Sequence, residues 1–184
     1  MPSQIGHSLA GLCGYALVRK GVPSKRRKWF LLVSVVIANL ADIDLIFGII
    51  SGEYARFHAQ ATHSLTAVAA VGFASSLIAR RWSRNFHLWG VWGGGIYLSH
   101  VLLDLLGSKV ELFWPFSGAY FGAPFRIFDS WNLFEPLLNL FEPFVSLGFL
   151  RRIEMRFSEI VVMTPWVVLA WYTGARLCRE KREN

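Results

Sequence analysis

His100 and Asp104 stand one helical turn apart inside an otherwise apolar run, GIYLSHVLLDLLGSK (residues 95–109). On a helix that spacing puts both side chains on one face, where an imidazole nitrogen and a carboxylate oxygen can grip one cation. Burying either group among leucines is costly unless something pairs with it. Other residues share the predicament. His7 opens the first apolar segment, Asp42 and Asp44 lie in ANLADIDLIFG, and His58 and His63 bracket HAQATH. The set takes four of the five histidines and three of the four aspartates of the chain.

A divalent metal is the chemistry that fits. Imidazole with carboxylate suits zinc best, with manganese or iron close behind, and a cation turns buried carboxylates into ligands. Seven donors exceed what one tetrahedral ion takes, so two ions fit, or one ion with an outer layer of carboxylates. Asp42 and Asp44, two apart, point to opposite sides of a regular helix. Either the helix unwinds there or only one of them, Asp42 first, touches metal.

Each residue alone has a plainer reading. An HxxxD pair can join helices by hydrogen bonds. His7 suits a helix start, His58 a loop, and His87 an interfacial position. Thr62 and Ser64 look like helix caps. The joint occurrence favours the metal site, since ionisable groups inside apolar segments are functional by default.

Five apolar segments must position these groups: Ile5 to Val18, Trp29 to Ile50, Ser64 to Ala79, Phe86 to Leu106 and Ile160 to Leu177. A membrane span needs about 20 residues. The second, fourth and fifth suffice, the third is close, and the first is short. Gly6, Gly11, Gly14, Gly93, Gly94 and Gly95 would let helices approach closely. The expected fold is all-α, an integral membrane bundle of four to five embedded helices in a single domain over residues 1–184.

Composition agrees. The chain is 54% hydrophobic and 17% charged, with a mean hydropathy of +0.40; soluble domains run about 45–50% and about 25%. The net charge of +7 sits in clusters between apolar segments, which is a topology pattern; direct nucleic-acid binding is not expected. Arg19, Lys20, Lys25, Arg26, Arg27 and Lys28 follow the first segment, and Arg80, Arg81 and Arg84 the third. Arg176, Arg179, Lys181 and Arg182 come at the end of the fifth. Five crossings with the C-terminus in the cytoplasm put all of these inside, leaving Arg151, Arg152 and Arg156 as exceptions outside. In that topology the His/Asp set lies toward the outer face.

Residues 107–159 are aromatic and proline-punctuated, and NLFEP occurs twice, at 132–136 and 139–143. This reads as amphipathic pieces at the membrane interface. Cys13 and Cys178 form neither a CxxC pair nor a disulfide framework. The N-terminus lacks the basic start of a cleavable signal and is expected to stay on.

GHSLAG, NLADID, FHAQATHSL and SHVLLDLLGSKVELFWPFS together resemble the YdjM-like family, described as LexA-binding, inner-membrane-associated, metal-dependent hydrolases. The resemblance covers the first two thirds of the chain. It implies His7, Asp42, His58, His63, His100 and Asp104 as metal positions, with Asp44 beside them. The family pattern has Arg-Gly after the first histidine of FHAQATHSL, where Ala59 and Gln60 stand here. The family is in turn similar to zinc-dependent phospholipases C. Because no histidine follows His100, a full three-metal set of that kind is not expected.

The functional expectation is a membrane-bound metal-dependent hydrolase of the inner membrane. It would act on a phosphoester, such as a lipid or lipid-linked substrate, through metal-activated water, with Asp44 as the base. The rival is a non-catalytic regulatory or partner-binding membrane protein with a structural metal site; a LexA-type regulator enters only through the family label. A transporter is disfavoured, because the inner half lacks ionisable residues within its helices.

Overall fold

The computed structural model describes residues 3–52, 59–123 and 160–176. His58, Arg151, Arg152, Arg156, Cys178, both NLFEP repeats and the rest of 124–159 lie outside these residues. The described chain is helical, and its sole strand-like feature is an isolated bridge between Val110 and Phe121.

Helix α1 runs Gln4–Val18, started by the Ser3 hydroxyl, which accepts from the Ile5 N–H at 3.2 Å. After the basic turn, residues Ser24–Ser51 form one 28-residue helical rod, long and apolar enough to cross a membrane. Within it α2, Arg27–Asn39, tightens into a 3-10 turn at Leu40–Ile43 before α3, Asp44–Ser51, ends at Gly52 with φ +71°. That left-handed stop suits glycine, which has no Cβ to clash. Helix α4 spans Leu65–Ala79, capped by Ser64, whose hydroxyl accepts from Ala67 N–H at 3.1 Å. Helix α5 spans Phe86–Gly107, and α6 covers 160–176.

The expected segments are therefore helical where described, but among the described residues only the rod meets the length and hydropathy a span requires. Helices α1 and α4 have 15 residues each, about 22 Å at about 1.5 Å per residue, short of the roughly 30 Å hydrocarbon core. Helix α5 has the length, with 22 residues, but His87, His100, Asp104 and its glycines dilute its hydropathy.

Helix α5 is the centre, packing on α1, α2 and α4. Small residues bring the axes together. A Cβ on Gly11 would fall 2.7 Å from the Ser34 carbonyl oxygen of α2, and one on Gly90 would fall 2.9 Å from the Gly72 carbonyl oxygen of α4. Gly95 faces open space instead, so its expected packing role is not met. The core is small: Ile37, Ala38, Ala41, Ile96, Tyr97, Val101 and Val110.

The distribution of polarity is inverted. Ile49 and Ile50 are 71% and 78% exposed, whereas His7, His63 and His100 are at most 1% exposed. Water on that apolar exterior would be expensive, and hydrocarbon would not.

After α5 the chain does not continue as an amphipathic helix: residues 108–123 turn back in a loop with a cis Trp114–Pro115 bond. The loop clamps the strip before α4 and the first turn of α4. Glu111 N–H donates to Ala59 O at 2.9 Å, Leu65 N–H to Leu112 O at 2.9 Å, and the Thr66 hydroxyl to Trp114 O at 2.7 Å.

Candidate metal centre

Four donors from three places meet inside the bundle. Helix α5 supplies His100 and Asp104, with Nε2 and Oδ2 3.3 Å apart, as the one-turn spacing requires. The turn Ala61–His63, held by the loop after α5, brings His63 Nε2 to 2.9 Å from Asp104 Oδ2 and 3.2 Å from His100 Nε2. The 3-10 turn in the rod adds Asp42, whose Oδ1 lies 3.6 Å from His100 Nε2 and 3.9 Å from His63 Nε2. One ligand atom from each residue lies within 4.8 Å of all the others.

The outer nitrogens of both rings are already committed. His100 Nδ1 sits 2.7 Å from Ala38 O, an acceptor only, so it must carry the proton. His63 Nδ1 lies 3.0 Å from Thr62 Oγ1 and 3.3 Å from Asp44 Oδ2. The Thr62 proton goes to Asp44 Oδ2 at 2.8 Å, so both neighbours accept from Nδ1–H. Each neutral ring therefore turns an Nε2 lone pair inward, where the lone pairs of Asp104 and Asp42 also point. Both Asp104 oxygens are buried and make no aligned hydrogen bond among the described residues, despite imidazole nitrogens at 2.9–3.5 Å. Donors aimed at a common point rather than at one another are what a cation needs.

Without a metal, a proton takes that place. Burial opposes charge on His63, but contacts with Asp104 and Asp44, and their negative charges, outweigh it and raise its pKa to about 9. No lysine or arginine among the described residues pairs with Asp42 or Asp104, so only imidazole offers charge there.

His7 stands beside the four. Its ring stacks on His100 with centroids 3.7 Å apart, its Nε2 is 3.5 Å from Asp104 Oδ1, and its Nδ1 is buried without a hydrogen-bond partner among the described residues. Asp44 lies behind His63, taking bonds from Thr62, from His63 and from Ala59 N–H at 3.2 Å. Both alternatives raised by the Asp42–Asp44 spacing are thus met: the helix does tighten, and only Asp42 joins the inner group.

Two positioning residues escaped the sequence reading. Thr62 is not a cap for α4; it links Asp44 to His63. Tyr97 donates its hydroxyl to Thr62 O at 2.6 Å and so fixes the turn bearing His63. Its position one turn before His100, on the same helix face, was the available signal. Ala59 adopts φ +68°, unusual for a residue with a Cβ, while its N–H serves Asp44.

The family model described as YdjM inner membrane protein matches residues 1–180. The chain belongs to this family. Membership suggests an inner-membrane location, which the inverted polarity and the long apolar rod support. No curated protein and no solved structure matches the chain, and the likeness to zinc-dependent phospholipases C has no counterpart in these comparisons.

Proposed function

We propose that this family member is a membrane-bound metal-dependent hydrolase acting on a phosphoester, with a lipid or lipid-linked molecule as the substrate class. The observation that carries the reading is the convergence of two Nε2 lone pairs and two carboxylates, each imidazole locked by a hydrogen bond on its far side. His63, His100, Asp42 and Asp104 would hold a divalent ion, zinc first and manganese or iron next. Such an ion supplies Lewis acidity toward a phosphoester oxygen and makes a nearby water more acidic.

The chain's own residues do the rest. Ala38 O and Asp44 orient the two rings, and the α5 turn holds Asp104 against both. Asp42, with a side chain 16% exposed while its partners are at most 1% exposed, marks the side from which a substrate arrives. Asp44 was expected as the base that receives a water proton; its bonds to Thr62, Ala59 and His63 favour a positioning role instead. His7 belongs to the proposed set as a neighbour of the inner four, through Asp104, and His58, outside the described residues, only through the family motif.

Helices α1, α4, α5 and α6 join the rod in the membrane in this reading. Support comes from outward apolar side chains such as Phe73, Val91 and Trp166, which are 66%, 73% and 60% exposed. The lysine and arginine clusters favour a cytoplasmic C-terminus and a metal centre toward the outer face.

One observation favours the rival, a regulatory membrane protein with a structural ion: His63, His100 and Asp104 are closed from solvent, as structural sites usually are. A LexA-type partner rests on the family label alone. Purified protein decides between the readings. Zinc- or manganese-dependent turnover of a generic phosphodiester, lost in His100→Ala and Asp104→Ala, supports the hydrolase. Bound metal without turnover supports the structural site, and metal content unchanged in both variants overturns the ligand assignment.

A further inference from the structure

At the end of the bundle away from the metal centre, α2 and α4 splay apart over α5 and leave an apolar cavity of about 750 Å³. Along the rod it reaches from Arg26 and Trp29 to Ile37 and Leu40. The fourteen helical steps from Arg26 to Leu40 make that about 21 Å, longer than the roughly 15 Å of one leaflet's hydrocarbon. No residue of the His/Asp cluster lines it. Four of the chain's eight tryptophans do: Trp29, Trp82, Trp89 and Trp92.

The mouth is cationic. Arg26 lines the cavity and is exposed, and Trp82 is shared with a second hollow of about 420 Å³ bordered by Arg80, Arg81 and Arg84. Arg80 is steadied over the Phe86 ring at 5.5 Å. Nothing acidic balances these arginines from nearby sequence, because residues 1–41 and 59–103 contain no Asp or Glu. Arginine is the side chain best suited to phosphate, and tryptophan to the headgroup level.

We propose that this groove is a binding site for one anionic phospholipid of the leaflet at the basic connections. An acyl chain lies between α2 and α4, and the headgroup phosphate sits among Arg26, Arg80 and Arg81. The site is separate from the metal centre and stands whether or not the protein hydrolyses anything.

Quenching of tryptophan fluorescence by bromine-labelled lipid chains tests it, with the full chain reconstituted in bilayers. Brominated phosphatidylglycerol should quench more strongly than brominated phosphatidylcholine at equal mole fraction. The preference should shrink in 1 M salt, where the screening length falls to about 3 Å. Arg26→Gln and Arg81→Gln should each lower it about fivefold, the effect of about 1 kcal/mol per arginine at a membrane surface. Ala74→Phe, which fills the groove from α4, should reduce quenching by both lipids. Equal quenching by the two lipids overturns the proposal, and that comparison needs no variant. A preference that survives both arginine replacements also overturns it. Elution as a single species in size exclusion and an unchanged thermal unfolding midpoint in all three variants show that they are folded and keep the test independent of the metal site.

Discussion

Helices α2 and α5 run through two chambers of opposite character. At one end they enclose six ionisable side chains with hydrogen bonds on every outer imidazole nitrogen but one; at the other they border a tryptophan-lined hollow with arginines at its rim. In the first, each buried polar atom needs a partner in a defined direction, so displacing one atom is costly. In the second, only shape and net charge matter. The same bundle can therefore hold one rigid polar centre and one adaptable apolar one.

Predictions that would break this contrast rank by size. Replacing Asp104 or His100 with Ala should abolish stoichiometric metal binding, measured by elemental analysis of purified protein, while arginine changes at the other chamber leave it intact. Asp44→Asn, which weakens the hold on His63 Nδ1, should lower metal affinity about 10–100-fold in a competition titration. Gly11→Val, against the Ser34 carbonyl, should cost about 1–3 kcal/mol in thermal unfolding, with metal-binding residues untouched.

pH separates the chambers further. His63 has a folded pKa of about 9 against an ordinary 6.5. In the metal-free protein its contribution to stability is therefore complete below about 6.5 and lost as pH rises through about 9. Metal must displace that proton, so affinity should rise with pH up to about 9, and added metal should flatten the stability profile. Lipid preference at the groove should stay level over the same range, since arginine does not titrate there. Tyr97→Phe is the mildest change, expected to cost about 1 kcal/mol and to loosen the turn bearing His63, read as a small fall in metal affinity.

The sequence made the helices legible because their apolar stretches have clear ends: the expected Ser64 to Ala79 and Phe86 to Leu106 correspond to α4 and α5 within a residue. Ser64 as a cap was readable for the same local reason. The metal candidates stood out because a carboxylate in an apolar run has no cheap alternative. Thr62 and Tyr97 were opaque, since a threonine beside a helix start and a tyrosine in an apolar helix fit ordinary roles equally well. The groove left no trace, because it arises from α2 and α4 failing to meet.

What residue order alone determined is which groups cannot be left alone in an apolar setting, and which stretches must coil to satisfy their backbone there. Tertiary structure decided the roles. Two carboxylates separated by one residue ended on different sides of His63, because a 3-10 turn rotates Asp42 inward and leaves Asp44 behind the ring. Spacing along a chain sets which faces are shared within one helix. Which atom faces which across helices depends on packing angles and turns that involve residues far apart, and only folding brings those together.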